Sequence, residues 1–223
     1  MSLVQDHLDG LFRATEDGAL FHLPWGFTLY RTEYGGPSEA RWQTLVDAIQ
    51  AHVAAKLAPG GDDDDEEGEE EGESPQVTRA ALLRLFRLDV QSDAAALQSQ
   101  PLDVLRAQFL EGALAAAAPE TVLAPQQRIF LLADAEVLGD DEAFSDGPGG
   151  GLWVKAVQAD YTAADHTPRD AREGPQRYFG WMKMRADAVL GLWRVLDRHE
   201  MASVAPLTIG GMHLVTWDGD DEE

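Results

Sequence analysis

Residues suited to chemistry concentrate between Arg169 and Arg185. There Arg169, Arg172, Arg177, Lys183 and Arg185 stand against Asp170 and Glu173, a local +3 in a chain of formal charge −23. Tyr178, Phe179 and Trp181 are interleaved with these cations. A guanidinium presents a planar fork of donors to anions and stacks on aromatic rings, so the mixture suits an anionic or planar ligand. His166 lies close in sequence to Asp160, Asp165 and Arg169. Imidazole titrates near neutrality, which makes His166 the candidate acid–base group. On this reading Arg31, Arg169 and Arg177 anchor an anion, and Tyr30, Tyr178, Trp181 and Lys183 complete the ligand surface. The same residues have a structural reading, in which the cations pair with surplus carboxylates and the aromatics begin the core face of a helix.

Sharper motifs are missing. The chain contains no GxSxG, GxxxxGK[ST], GxGxxG or HExxH. Gly149-Gly150-Gly151 near Lys155 has the wrong spacing for a phosphate loop and reads as a hairpin turn. Among His7, His22, His52, His166, His199 and His213 no two share the short helical spacing of a metal pair, and cysteine is absent. No cofactor and no metal centre are expected.

The elements that must hold these residues follow from periodicity. Phe27 to Tyr34 is rich in aromatic and β-branched residues and stops at Gly35-Gly36-Pro37, which predicts a strand. Along it Tyr30, Thr32 and Tyr34 share one face, and Leu29, Arg31 and Glu33 the other. With Ser38 as N-cap, Trp42, Leu45, Val46, Ile49, Val53 and Leu57 form one stripe of a helix over 39–57. A short helix from Thr78 is expected to run into a strand from about Arg84 to Val90. An alanine-rich helix begins at Pro101, where a missing N–H costs nothing. Arg128–Ala133 reads as a strand buried on both faces, paired as a hairpin with Leu152–Tyr161. A polar loop over 162–178, a helix over 179–200 and a strand from Met212 to Trp217 complete the order.

Composition bounds the classes of function. The 223 residues are 44% hydrophobic, enough for a sizeable core. With no cysteine and an acid-bearing start (Asp6, Asp9, Glu16, Asp17), the chain is expected to be cytoplasmic or nuclear rather than secreted. No apolar run is long enough for a membrane span. The charge is unevenly spread: residues 62–73 hold ten acids and no base, the tail 218–223 holds five more, and the remainder carries −8. A broad basic surface is therefore lacking, and direct nucleic-acid binding is not expected. The acidic run has no apolar residue to offset the entropy of ordering, so 61–75 is expected to be a disordered insert.

Trp25-Gly26-Phe27-Thr28-Leu29-Tyr30-Arg31-Thr32 with Gly35, Gly36 and Trp42, and the segment from Gly174 to Lys183, resemble segments of a family of filamentous-fungal (ascomycete) proteins of no known activity. The resemblance covers under a fifth of the chain. It implies a source and adds no chemistry.

The order of elements predicts a single α+β domain over 1–223. Its expected form is ferredoxin-like: an antiparallel sheet with helices mainly on one face, one extra helix, the insert 61–75 and the acidic tail 218–223. The leading functional expectation is a soluble, non-catalytic binding protein using the 162–185 Arg/aromatic loop or an open sheet face. Its partner would be a protein, a small anionic or aromatic ligand, or a second copy of the chain. The competing classes are an enzyme acting on a small anionic or aromatic substrate through His166, and an acidic chaperone of basic proteins.

Overall fold

Strands form where aromatic and branched side chains alternate with small ones, and the first long one runs through Gly26. The computed structural model describes residues 12–14, 20–22, 24–58, 79–116, 123–141, 144, 151–168, 170 and 174–219; the acidic insert 61–75 lies outside them. Strands β1 (Phe12–Ala14) and β2 (Leu20–His22) pair antiparallel as a small separate sheet. The main elements then follow: β3 (Trp25–Arg31), α1 (Ser38–Lys56), α2 (Arg79–Leu85), β4 (Phe86–Gln91), α3 (Ala94–Leu97) and α4 (Leu102–Ala116). After a 3-10 turn at Pro125–Arg128 come β5 (Ile129–Ala133), α5 (Ala135–Gly139), β6 (Trp153–Gln158), α6 (Ala163–His166) and β7 (Trp181–Arg185). A second 3-10 turn at Ala186–Ala188 leads to α7 (Val189–Val195) and α8 (Met201–Val204).

The protein is α+β, built on an open mixed sheet in the order β4-β3-β5-β6-β7. The antiparallel, ferredoxin-like sheet expected from the element order is not what forms. β3 pairs parallel with both β4 and β5, and only β5/β6 and β6/β7 are antiparallel. The reason is local. Helical crossovers return the chain to the starting end of the sheet, as parallel neighbours require. β4 then docks directly against β3 because Gly26, opposite Arg87, has no side chain to keep it away.

Helices also cover both faces rather than mainly one. β5 (IFLLA) is buried at every position, which demands cover on each side. Leu29, Ile129, Leu131, Ala156, Met182 and Met184 pack on one face against Trp42, Leu45, Ile49 and Val53 of α1 and Val189 and Leu192 of α7. Tyr30, Phe130, Leu132 and Val157 form the other face, with Leu105 of α4 buried among them. α4 thus sits over β3, β5 and β6, and among the described residues no helix packs on β4 on that side of the sheet.

Two further expectations are revised. The helix expected over 179–200 begins only at Val189. Trp181–Arg185 is a strand, in which Met182 and Met184 point to the core while Trp181 and Lys183 point away. Pairing with this strand satisfies the outer edge of β6, which helical spacing alone does not foresee. The strand expected at Met212–Trp217 is reduced to two single bridges, Ile209 with Met212 and Met184 with Trp217.

Candidate functional site

The uncovered β4 edge creates a groove of about 770 Å³ between α4 and the β3–β4 pair. Its floor is three cross-strand pairs set by the parallel register: Gly26 with Arg87, Thr28 with Asp89, and Tyr30 with Gln91. The wall is the exposed side of α4, where Gln108, Phe109, Glu111, Gly112 and Ala116 line the space. Alanine and glycine there leave room for a backbone to approach closely. Asp89 accepts from Gln91 Nε2 at 2.9 and 3.0 Å and from Thr28 Oγ1 at 3.4 Å. Neither Asp89 nor Glu111 forms an ion pair with a described residue. The guanidinium of Arg87, the groove's own cation, donates to the carbonyls of Arg84 and Phe86 at 2.8 and 2.7 Å. Burial, and then the charge of Asp89, raises the Tyr30 phenol above its ordinary value, so it stays a neutral hydroxyl.

A second cluster occupies the same face further along the sheet. Lys155 and Lys183 are cross-strand partners on β6 and β7. Each ammonium lies over the tryptophan diagonal to it: Lys155 at 4.5 Å from the Trp181 ring centre and Lys183 at 4.3 Å from that of Trp153. Glu136 of α5 bridges both lysines at 2.7 and 2.9 Å, and Asp134, the N-cap of α5, accepts from Lys155 at 2.7 Å. Burial would raise the Glu136 carboxyl, but its hydrogen bonds to Lys155 and Lys183 overcome that and hold it below the ordinary range. Four charges cancel here, and each has a partner.

His213 closes this cluster. Its ring lies 3.7 Å from that of Trp181, and both of its ring nitrogens are buried without a hydrogen-bond partner among the described residues. Burial first, then Lys183 and Lys155 against the opposing charge of Glu136, lowers its pKa from the ordinary 6.5. A histidine whose folded pKa is depressed binds fewer protons folded than unfolded. Its neutral form is the one the fold accommodates, and stability is lost as pH falls from about 6.5 toward the lowered value. In urea titrations the stability difference between wild type and His213→Gln is therefore expected to shift against wild type between pH 7.5 and 5.5. A difference independent of pH would show that the imidazole does not titrate in this setting.

His166, the predicted acid–base group, is held by aromatic rings. It stacks on Tyr161 at 5.2 Å and meets Tyr178 edge-on at 5.1 Å. The Tyr178 hydroxyl donates to Gln158 Oε1 at 2.8 Å, and burial drives that phenol far above its ordinary pKa. Arg106 of α4 reaches across to the carbonyls of Gln158 and Gly180, both at 3.0 Å. Gly180 permits this approach, because a Cβ there would fall 2.5 Å from Arg106 Nη2.

The predicted ligand residues are thus distributed over several places. Tyr178 is with His166, Trp181 and Lys183 are in the lysine–tryptophan cluster, and Tyr30 is in the groove floor. Arg31 is 2% exposed and fastened to α1, Arg177 is exposed on the loop before β7, and Arg169 lies outside the described residues. Reading the sequence missed Asp89, Glu111, Lys155, Asp134, Glu136 and Arg106, which reach their neighbours only through sheet pairing and the packing of helices on the sheet. Among the described residues no group of three or more histidines, aspartates and glutamates could hold a metal ion, and no helix is long and apolar enough to cross a membrane. Compared with models of protein families, with curated proteins and with solved structures, the chain matches none.

Proposed function

We propose that this is a non-catalytic binding protein that takes a cationic peptide segment into the groove between α4 and β3–β4. The observation carrying this reading is the pair of carboxylates, Asp89 and Glu111, that line the 770 Å³ space without an ion pair to any described residue, the one lining cation, Arg87, being turned to the carbonyls of Arg84 and Phe86. Lysine or arginine from a partner would supply it. Gln91 and Gln108 offer both donors and acceptors to a peptide backbone, Phe109 offers an apolar contact, and the glycines and alanines admit the chain. The volume lies within the range of sites that enclose a ligand. The charge of −23 steers basic partners toward the protein from a distance, and the groove then selects among them. The enzymatic reading has less support, because the His166 ring is occupied by two tyrosines while Arg31 is spent on α1.

Calorimetric titration with an acetylated Lys-Ala-Arg-Ala repeat peptide tests the reading. Asp89→Asn combined with Glu111→Gln is expected to weaken binding about tenfold, the scale of two partly exposed charge contacts. Gly112→Phe leaves the charge unchanged and meets open space at its Cβ, yet projects a ring into the groove; it is expected to block binding. Undiminished affinity in Gly112→Phe would assign the peptide to the acidic segments 62–73 and 218–223 and end the groove reading.

A further inference from the structure

The segment following α8 reverses the usual arrangement of polar and apolar residues. From Leu207 to Leu214 it doubles back through Gly210 and Gly211, both at positive φ (60° and 84°). Ile209 and Met212 exchange backbone hydrogen bonds of 3.2 and 3.0 Å across that turn, which fits a tight hairpin connection. The residues facing the protein are polar. Thr208 is buried and donates from its backbone and hydroxyl to the carbonyl of Arg177, and His213 lies on Trp181. The residues facing outward are apolar: Leu207, Ile209, Met212, Leu214 and Val215 are each 57% to 64% exposed. A loop held only for its own stability would be expected to turn these around.

We infer that this hairpin is a self-association surface, through which two copies of the chain pair about a two-fold axis. Area supports the choice. Five side chains this exposed present roughly 500 Å² of apolar surface, near the top of what the largest patch on an ordinary monomer reaches. An isologous pairing buries the patch twice, about 1,000 Å² in total, the lower bound for a specific interface. Charge supports it independently. Pro206 to Trp217 contains no Asp, Glu, Lys or Arg in a chain of net −23. Like-charged copies repel wherever their acidic surfaces meet, so an uncharged patch is where two of them can approach. Long-range repulsion opposes the same contact, and it is screened by salt. The pairing therefore strengthens as ionic strength rises, opposite to the salt dependence of a basic ligand in the groove.

Sedimentation equilibrium of the full chain at low and high sodium chloride tests this. A reversible dimer is expected, with a Kd of about 10–100 µM that tightens several-fold with salt. Met212→Ser with Leu214→Ser is expected to remove it, as is Ile209→Lys alone, and near-ultraviolet circular dichroism then checks that the fold persists. A wild type that stays monomeric at both salt concentrations overturns the inference, and so does dimerisation that both variants retain. A monomer that floats with phosphatidylcholine vesicles also overturns it, by assigning the patch to a lipid surface.

Discussion

Replacing Gly26 with alanine is expected to destabilise the protein by at least about 3 kcal/mol, the scale of a strained backbone combined with a broken strand contact. Gly26 has φ +129°, a conformation that side-chain-bearing residues rarely adopt, and a Cβ there would lie 2.0 Å from the Arg87 carbonyl oxygen. No rotamer relieves this, because both atoms belong to or adjoin the backbone. Either β3 turns away from its φ or β4 moves outward. Moving β4 loosens a ladder running from Trp25 with Phe86 to Tyr30 with Gln91. Trp25 sits in that ladder, donates to the Leu82 carbonyl at 2.8 Å and packs on Phe86 at 4.8 Å, so the damage spreads into the core. Urea unfolding followed by tryptophan fluorescence measures the loss. A Gly26→Ala protein as stable as wild type would contradict the close parallel pairing of β3 and β4.

The second large effect is expected at Arg31, and its pattern across variants is more informative than its size. Arg31 Nε donates to the Glu33 carbonyl at 2.8 Å, Nη1 to Glu39 Oε2 at 2.6 Å and Nη2 to Ser38 Oγ at 3.1 Å. The guanidinium carbon lies 4.6 Å from the Tyr34 ring centre and 5.6 Å from that of Trp42. One planar group thus ties the end of β3 to the first turn of α1. Arg31→Ala removes packing from a buried site and strands its hydrogen-bond partners, at an expected cost of about 3 kcal/mol. Glu39 is 74% exposed, so Glu39→Gln is expected to cost under about 1 kcal/mol. Arg31→Lys should fall nearer to alanine, since a point charge cannot reproduce the fork. Equal losses in Arg31→Ala and Glu39→Gln would mean that the ion pair, rather than packing and the neutral hydrogen bonds, holds the corner.

The parts of this fold legible in the sequence are those governed by local spacing. The α1 stripe from Trp42 to Val53 and the fully apolar β5 are found where periodicity places them, but the expectation of helices mainly on one face did not follow through on the burial of β5 on both sides. Spacing misled at Trp181–Arg185. The helical repeat that truly starts at Val189 extends backward through Met182 by coincidence, while the two-residue alternation of Met182 and Met184 was obscured by interleaved cations. At α1 the N-cap is Pro37, one residue before the expected Ser38, whose hydroxyl donates back to the Gly35 carbonyl at 2.8 Å.

The candidate site was harder to read, for a topological reason. Thr28 and Asp89 are 61 residues apart and touch only because β3 and β4 pair in parallel. Glu111 joins them from a third element. Without the sheet order these acids look like ordinary surface charge. His213 shows a different limit. In the strand expected from Met212 to Trp217, His213 alternates with Met212 and Leu214, which projects it toward solvent or a groove. In the structure it turns inward, its ring tilted against that of Trp181.

Amide chemical-shift mapping of the full chain with the acetylated Lys-Ala-Arg-Ala repeat peptide tests the central claim most directly. Saturable shifts are predicted at Gly26, Thr28, Asp89, Gln91 and Gly112, which surround the groove, and these should disappear in Gly112→Phe. Shifts confined to residues 62–73 and 218–223, or centred on Tyr161 and His166, would contradict a peptide-binding groove between α4 and β3–β4.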